Sequence, residues 1–142
     1  MLNKQELYIV LIKKVLTYSL WSEPPVPIDL FNDTRPTVIR WIVSFITRIL
    51  QLFDFTLVKN MKYTKKEINE GKIWPYYAHT MVGMNRMDNL QYCIETVLDN
   101  NIKGDFIEAG VWRGGTCIFM KALLEAHSVS NRKIYLADSF EG

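Results

Sequence analysis

The run Asp105-Phe-Ile-Glu-Ala-Gly-Val-Trp-Arg-Gly-Gly-Thr116 constrains this chain more than any other stretch. Phe106 and Ile107 open a short apolar run that reads as a buried strand, with Glu108 at its end. Gly110, Gly114 and Gly115 make a turn, and Thr116 opens an apolar helix through Cys117, Ile118, Phe119, Met120, Leu123 and Leu124. Strand, acid, glycine turn and helix together form the first unit of a nucleotide-binding βαβ. Glycine suits the turn because a Cβ would hold a ligand off the backbone, and because φ > 0 is open to it. The helix start is expected to offer N–H groups to that ligand.

The spacing narrows the ligand. After Glu108 the glycines read G-x-x-x-G-G, not the G-x-G-x-x-G of dinucleotide enzymes, and no lysine stands in a GK[ST] run. This points away from a pyrophosphate, and S-adenosylmethionine fits such a ligand. A plain structural turn uses the same residues, so the local pattern alone leaves both readings open. A second apolar strand, Lys133-Ile-Tyr-Leu-Ala-Asp138, also ends in an acid. An acid there is suited to ribose hydroxyls, and a turn or cap aspartate is the alternative. Two acid-ended strands strengthen the cofactor reading.

Upstream, the chain reads as helical. Asn3 with Glu6 has the form of a capping box. Leu7, Tyr8, Leu11, Ile12, Val15 and Leu16 follow at helical spacing, predicting an amphipathic helix over 3–21 that ends at Glu23-Pro-Pro-Val-Pro27. Residues 37–58 predict a second helix, with Val38, Ile39, Trp41, Ile42, Phe45, Ile46 and Ile49 on a wide apolar face. Arg40, Arg48 and Asp54 interrupt it, so it does not read as a membrane span. Its apolar face has three readings: intramolecular packing, a dimer interface or interfacial membrane binding. Sparse Lys and Arg favour protein contact, and the segment is the natural candidate for a homo-oligomer contact. Thr64-Lys-Lys-Glu67 is another capping box, and Gly71 suits the end of its short helix. His79 reads as a structural residue; Trp74, Tyr76 and Tyr77 read as core or as a stacking wall. Met84, Met87, Leu90, Ile94, Val97 and Leu98 form a core-facing helix stripe that continues to Ile102.

The net charge of +2 is too small to argue for nucleic acid or a membrane surface. Cys93 and Cys117 show no metal spacing and are expected to be buried free thiols in a reducing compartment. The amino terminus does not read as a signal peptide, and a cytoplasmic location is expected.

Four runs together carry a resemblance: Ala78-His-Thr-Met-Val-Gly83, Arg86-Met-Asp-Asn-Leu-Gln91, Gly104-Asp-Phe-Ile-Glu-Ala-Gly-Val-Trp-Arg-Gly-Gly115 and Ala137-Asp-Ser-Phe-Glu-Gly142. With the first helix, they resemble the macrocin O-methyltransferase family (TylF/MycF type) over nearly the whole chain apart from roughly residues 24–62. The resemblance implies a class I, Rossmann-like α/β methyltransferase fold, S-adenosylmethionine as methyl donor, and Mg²⁺-assisted transfer to a hydroxyl of a sugar or other small molecule. By similarity, Thr80, Met81, Glu108, Ala109, Gly110, Gly114, Gly115, Thr116, Asp138 and Ser139 are expected along the cofactor. Thr80 and Met81 would cover its methionine end, with Asp138 and Ser139 at the adenosine. Trp74 stands where the family commonly has a tyrosine near the substrate mouth, and Tyr8 is a weaker substrate candidate.

The implied organisation is a helical extension over 1–62 and the first half of a cofactor-binding domain over 63–142, with parallel strands near 105–110 and 133–138. The family's metal-binding aspartates and base lie beyond the second strand. No catalytic or metal-ligating residue is therefore expected within these residues. The chain is expected to be an amino-terminal piece that does not methylate alone. The alternative is a non-catalytic interaction module using the 38–58 helix.

Overall fold

The computed structural model describes residues 2–30 and 36–141. Gly142, the last residue of the run beginning at Ala137, lies outside them. In chain order the elements are α1 (Lys4–Leu16), β1 (Val26–Pro27), a short helical turn (Ile28–Leu30), α2 (Thr37–Gln51), β2 (Val58–Lys59), α3 (Lys65–Glu70), α4 (Met84–Asp99), β3 (Phe106–Ala109), α5 (Gly115–Ala126) and β4 (Ile134–Ala137). They form two compact units, Met1–Ser22 with Tyr63–Gly142, and Glu23–Lys62.

The first unit is α/β and carries the expected βαβ. β3 and β4 pair in parallel, with Phe106 opposite Ile134 and Ala109 opposite Ala137. α5 joins them and buries most of its residues, Cys117, Phe119, Met120, Ala122, Leu123 and Leu124 among them. This near all-round burial follows from its position: α1, α4 and β4 all pack against it. The core joins Ile9 and Leu16 of α1 to Met87 and Ile94 of α4 and to Phe119 and Leu123 of α5, with Phe106 and Ile134 packed against it. Lys13 is only 6% exposed within this apolar contact. Its ammonium is satisfied by Asp88 and by Gln91 Oε1 at 2.8 Å, both on α4. A buried lysine without such partners would be strongly destabilising.

Both predicted capping boxes form, at Asn3–Glu6 and Thr64–Glu67. Gly71 closes α3 in the left-handed region at φ 65°, where glycine meets no Cβ penalty. α1 is shorter than its apolar pattern. It stops at Leu16, well before the prolines, and Tyr18 turns the chain at φ 57°. The Leu16 carbonyl accepts instead from the amides of His79, at 2.9 Å, and Thr80, at 3.3 Å. Cys93 is exposed, against expectation: it sits on the side of α4 away from Met87 and Ile94.

In the second unit β1 and β2 pair antiparallel, with Val26 opposite Lys59. α2 ends at Gln51, not at 58. Asp54 adopts φ 60°, Phe55 donates back to the Leu50 carbonyl, and the chain leaves extended into β2. Of the three readings of its apolar face, packing within its own unit is not seen among the described residues. Trp41 and Val38 are each 70% exposed, while Thr47 is buried with its hydroxyl donating to the Val43 carbonyl. The side of α2 turned from solvent is thus the one that holds Thr47. No helix among the described residues is long and apolar enough to cross a membrane.

Candidate functional site

In open parallel sheets, ligands sit beyond the carboxyl ends of the strands. A cleft of about 570 Å³ lies there, lined by Met81, Gly110, Trp112, Asp138, Ser139 and Phe140. The volume is in the range of small-molecule sites. Gly110 has φ 82°, and a Cβ built on it would meet nothing within 4 Å. The residue therefore opens bare backbone onto the cleft.

The loop between β3 and α5 is locked from within. Asp138 Oδ2 accepts from the Val111 amide at 2.5 Å and from Trp112 at 3.4 Å. These donors, Val111 foremost, hold the Asp138 carboxyl below the usual carboxylate range, with help from the Phe140 amide. Gly110 donates to the Ala137 carbonyl, Gly114 to Val111 and Gly115 to His79, each at 2.9 Å. The amides of Gly110, Val111, Trp112, Gly114 and Gly115 are thus spent inside the protein. At the start of α5, where N–H groups are expected to face a ligand, that of Gly115 is therefore already committed. A phosphate cradle needs such groups pointing outward.

The connector from α3 to α4 forms the loop's other support. A Cβ on Gly115 would lie 2.3 Å from the His79 carbonyl oxygen, so only glycine lets the two backbones touch. Thr80 is 4% exposed, and its hydroxyl lies 3.4 Å from that of Thr116. Arg113 donates to the Tyr76 carbonyl at 2.6 Å and to Ala78 at 3.0 Å, and its guanidinium lies 4.4 Å from the Trp112 ring centre. Trp112 holds φ 50°, a conformation that costs a bulky residue on the order of 1–3 kcal/mol and that these contacts offset. Trp74 meets Trp112 edge to face, at 6.0 Å between centres.

Of the residues expected along the cofactor, the structure gathers Met81, Gly110, Asp138 and Ser139 on one cleft. Thr80, Gly115 and Thr116 stand behind it as a buttress. Gly114 lines a different hollow, and Ala109 is exposed at the end of β3. Glu108 turns toward α5, where its Oε2 accepts from the Cys117 thiol at 2.7 Å. Trp74 reaches the cleft wall through Trp112, whereas Tyr8 is exposed on α1 and is not among the lining residues. Trp112, Arg113 and Phe140 were not singled out from sequence. The available signal was a large aromatic side chain within each turn, where there is no core for it to fill.

The parallel βαβ unit with its glycine loop has counterparts in known proteins. The family model for macrocin-O-methyltransferase (TylF) matches residues 5–142. This chain belongs to the macrocin O-methyltransferase family. A tetracenomycin 4'-O-methyltransferase of Streptomyces olivaceus is 38% identical over 99% of this chain and 43% of its own length. The mycinamicin III 3''-O-methyltransferase of Micromonospora griseorubida is 37% identical, over 84% of this chain and 45% of its own. The structure of the O-methyltransferase NovP matches 98% of this chain and 44% of its own at 34% identity, with a TM-score of 0.70. The chain thus spans less than half the length of the macrocin-family relatives it matches. The NovP likeness shows the fold to be part of the family's Rossmann-like methyltransferase architecture.

Proposed function

We propose that this chain supplies the cofactor-binding part of an S-adenosylmethionine-dependent O-methyltransferase acting on a small-molecule hydroxyl. The observation that carries the reading is the cleft over Gly110. It lies at the carboxyl ends of two parallel strands, and its loop amides are internally satisfied. Such a cleft suits a ligand with a hydroxylated sugar and an extended apolar body, and no pyrophosphate to neutralise. The residues present fit S-adenosylmethionine. Asp138 lines the cleft, its Oδ1 accepting from the Phe140 amide at 3.4 Å, and a carboxylate at this place is suited to accept from a ribose hydroxyl. Gly110 admits the ligand to van der Waals contact with backbone. Met81 and Phe140 supply apolar walls, and Ser139 a hydroxyl. When bound, S-adenosylmethionine supplies an electrophilic methyl group. The part played by these side chains is to hold it in one orientation and keep water away. The Streptomyces olivaceus relative is named for a rhamnosyl-bearing tetracenomycin, and a sugar hydroxyl is the acceptor class we infer here.

Mg²⁺ fits less well. Among the described residues, no three His, Cys, Asp or Glu side chains converge to hold a metal, and Asp138 is committed to the loop. No step is assigned to a metal here. The proposed cofactor-binding domain beginning at 63 holds the whole cleft, and α1 of the 1–62 extension packs into its core.

The test is amide chemical-shift mapping with millimolar S-adenosylmethionine. The expected result is shifts confined to Met81, Gly110, Trp112 and residues 138–140. Absence of any shift, or shifts centred elsewhere, would overturn the assignment.

A further inference from the structure

Asp138 fixes the backbone of the loop after β3 through the Val111 and Trp112 amides, but it leaves the Trp112 indole to be placed by side-chain contacts. That indole lines the cleft. Trp112 holds φ 50°, so its side chain leaves the loop from a backbone conformation that bulky residues rarely adopt. Two ring contacts bear on it. The Arg113 guanidinium lies 4.4 Å from the ring centre, and Trp74 meets it edge to face at 6.0 Å. Trp74 is itself 57% exposed and is a weak support. Arg113 differs, because its own position is set from a distance. Its Nη1 donates to the carbonyls of Tyr76 and Ala78, at 2.6 and 3.0 Å. Those carbonyls belong to the connector before α4, which is tied on both sides. His79 donates to the Leu16 carbonyl and accepts from the Gly115 amide, each at 2.9 Å.

We propose that Arg113 is a positioning residue: it clasps the connector, lies over Trp112, and so holds the indole as a fixed wall of the cleft for the adenosyl ligand. The identity of that ligand rests on the function proposed above, while the clasp itself does not. Arg113 is exposed and is not among the residues lining the cleft, so it acts through the indole and not on the ligand. The physical gain is preorganisation. A large side chain that is free in the empty cleft must be ordered when the ligand arrives, and that ordering is subtracted from the affinity. An indole already held in place avoids the loss. Arginine suits the task because a planar guanidinium stacks on an aromatic face while its N–H groups donate elsewhere. A lysine ammonium is a compact, strongly hydrated point charge and does not stack in this way.

Two readouts on the full chain separate the clasp from the ligand. Without ligand, the Trp112 indole N–H resonance, assigned with Trp112→Phe, is expected to move or broaden in Arg113→Met while the amides of α4 and α5 stay in place. An unmoved indole resonance overturns the clasp, whatever the cleft binds. With ligand, titration calorimetry with S-adenosylmethionine is expected to show affinity lower by about tenfold in Arg113→Met. Arg113→Lys should be weakened as well. Trp112→Ala should bind as weakly as Arg113→Met, and combining the two should change nothing further, since the arginine acts through the indole. A further loss in the double variant, or native affinity in Arg113→Lys, overturns the positioning role. If the native chain binds no S-adenosylmethionine, the proposed function fails, and the indole resonance decides the clasp by itself.

Discussion

Asp138 binds the end of β4 to the loop after β3, and that lock depends on its charge. Backbone donors, the Val111 amide first, depress its pKa. A carboxylate favoured in the folded state contributes stability above its unfolded pKa of about 3.9, and loses it as pH falls through the lower folded value. Exchange at the Val111 and Trp112 amides should therefore stay slow on acidification until below that ordinary range. In Asp138→Asn it should be faster throughout and lose the acid step, read by NMR exchange. Cys117 behaves in the opposite sense. Burial foremost, then the hydrogen bond and charge of Glu108, push its thiol up to about 12. The thiolate is the reactive form, so iodoacetamide at about pH 8 should label exposed Cys93 and spare Cys117 in the native chain, with both labelled in urea. Equal labelling without denaturant, seen by peptide mass, would contradict that burial.

At the scale of elements, the contact between α5 and the connector is the tightest test. Gly115→Ala places a Cβ 2.3 Å from a backbone oxygen that no side-chain motion can clear. Overpacking of this kind costs about 1–3 kcal/mol, and urea unfolding should show it as a lower midpoint with little change in slope. A second contact of the connector, from the His79 and Thr80 amides, accompanies the early end of α1. The Leu16 carbonyl serves the connector instead of waiting for the prolines. Apolar periodicity overstates the lengths of α1 and α2, because hydrophobic spacing persists past the residue where the chain finds another partner. The caps are legible in the sequence because each closes within three residues of itself.

At the scale of the molecule, the unit that carries the cleft depends on one apolar junction among α1, α4, α5 and the sheet. Phe119 is fully buried in it. Phe119→Ala should cost about 3–5 kcal/mol, measured by urea denaturation, and should loosen the loop that α5 anchors. A change near zero would mean that the helices do not share a single core. The apolar face of α2 belongs to the other unit. Trp41 on that face is 70% exposed.

The residue order by itself determined the βαβ unit, its glycine turn, the two capping boxes and the family. Each is written in neighbours a few positions apart, where backbone geometry and capping act directly. Only the tertiary structure decided which groups remain for a ligand. Asp138 spends one oxygen on an amide 27 residues away, and Glu108 turns to a thiol on α5. Arg113 reaches back 37 residues to fix Trp112 beside the cleft. A donor's partner is set by where the chain returns in space, and local periodicity carries no record of that return.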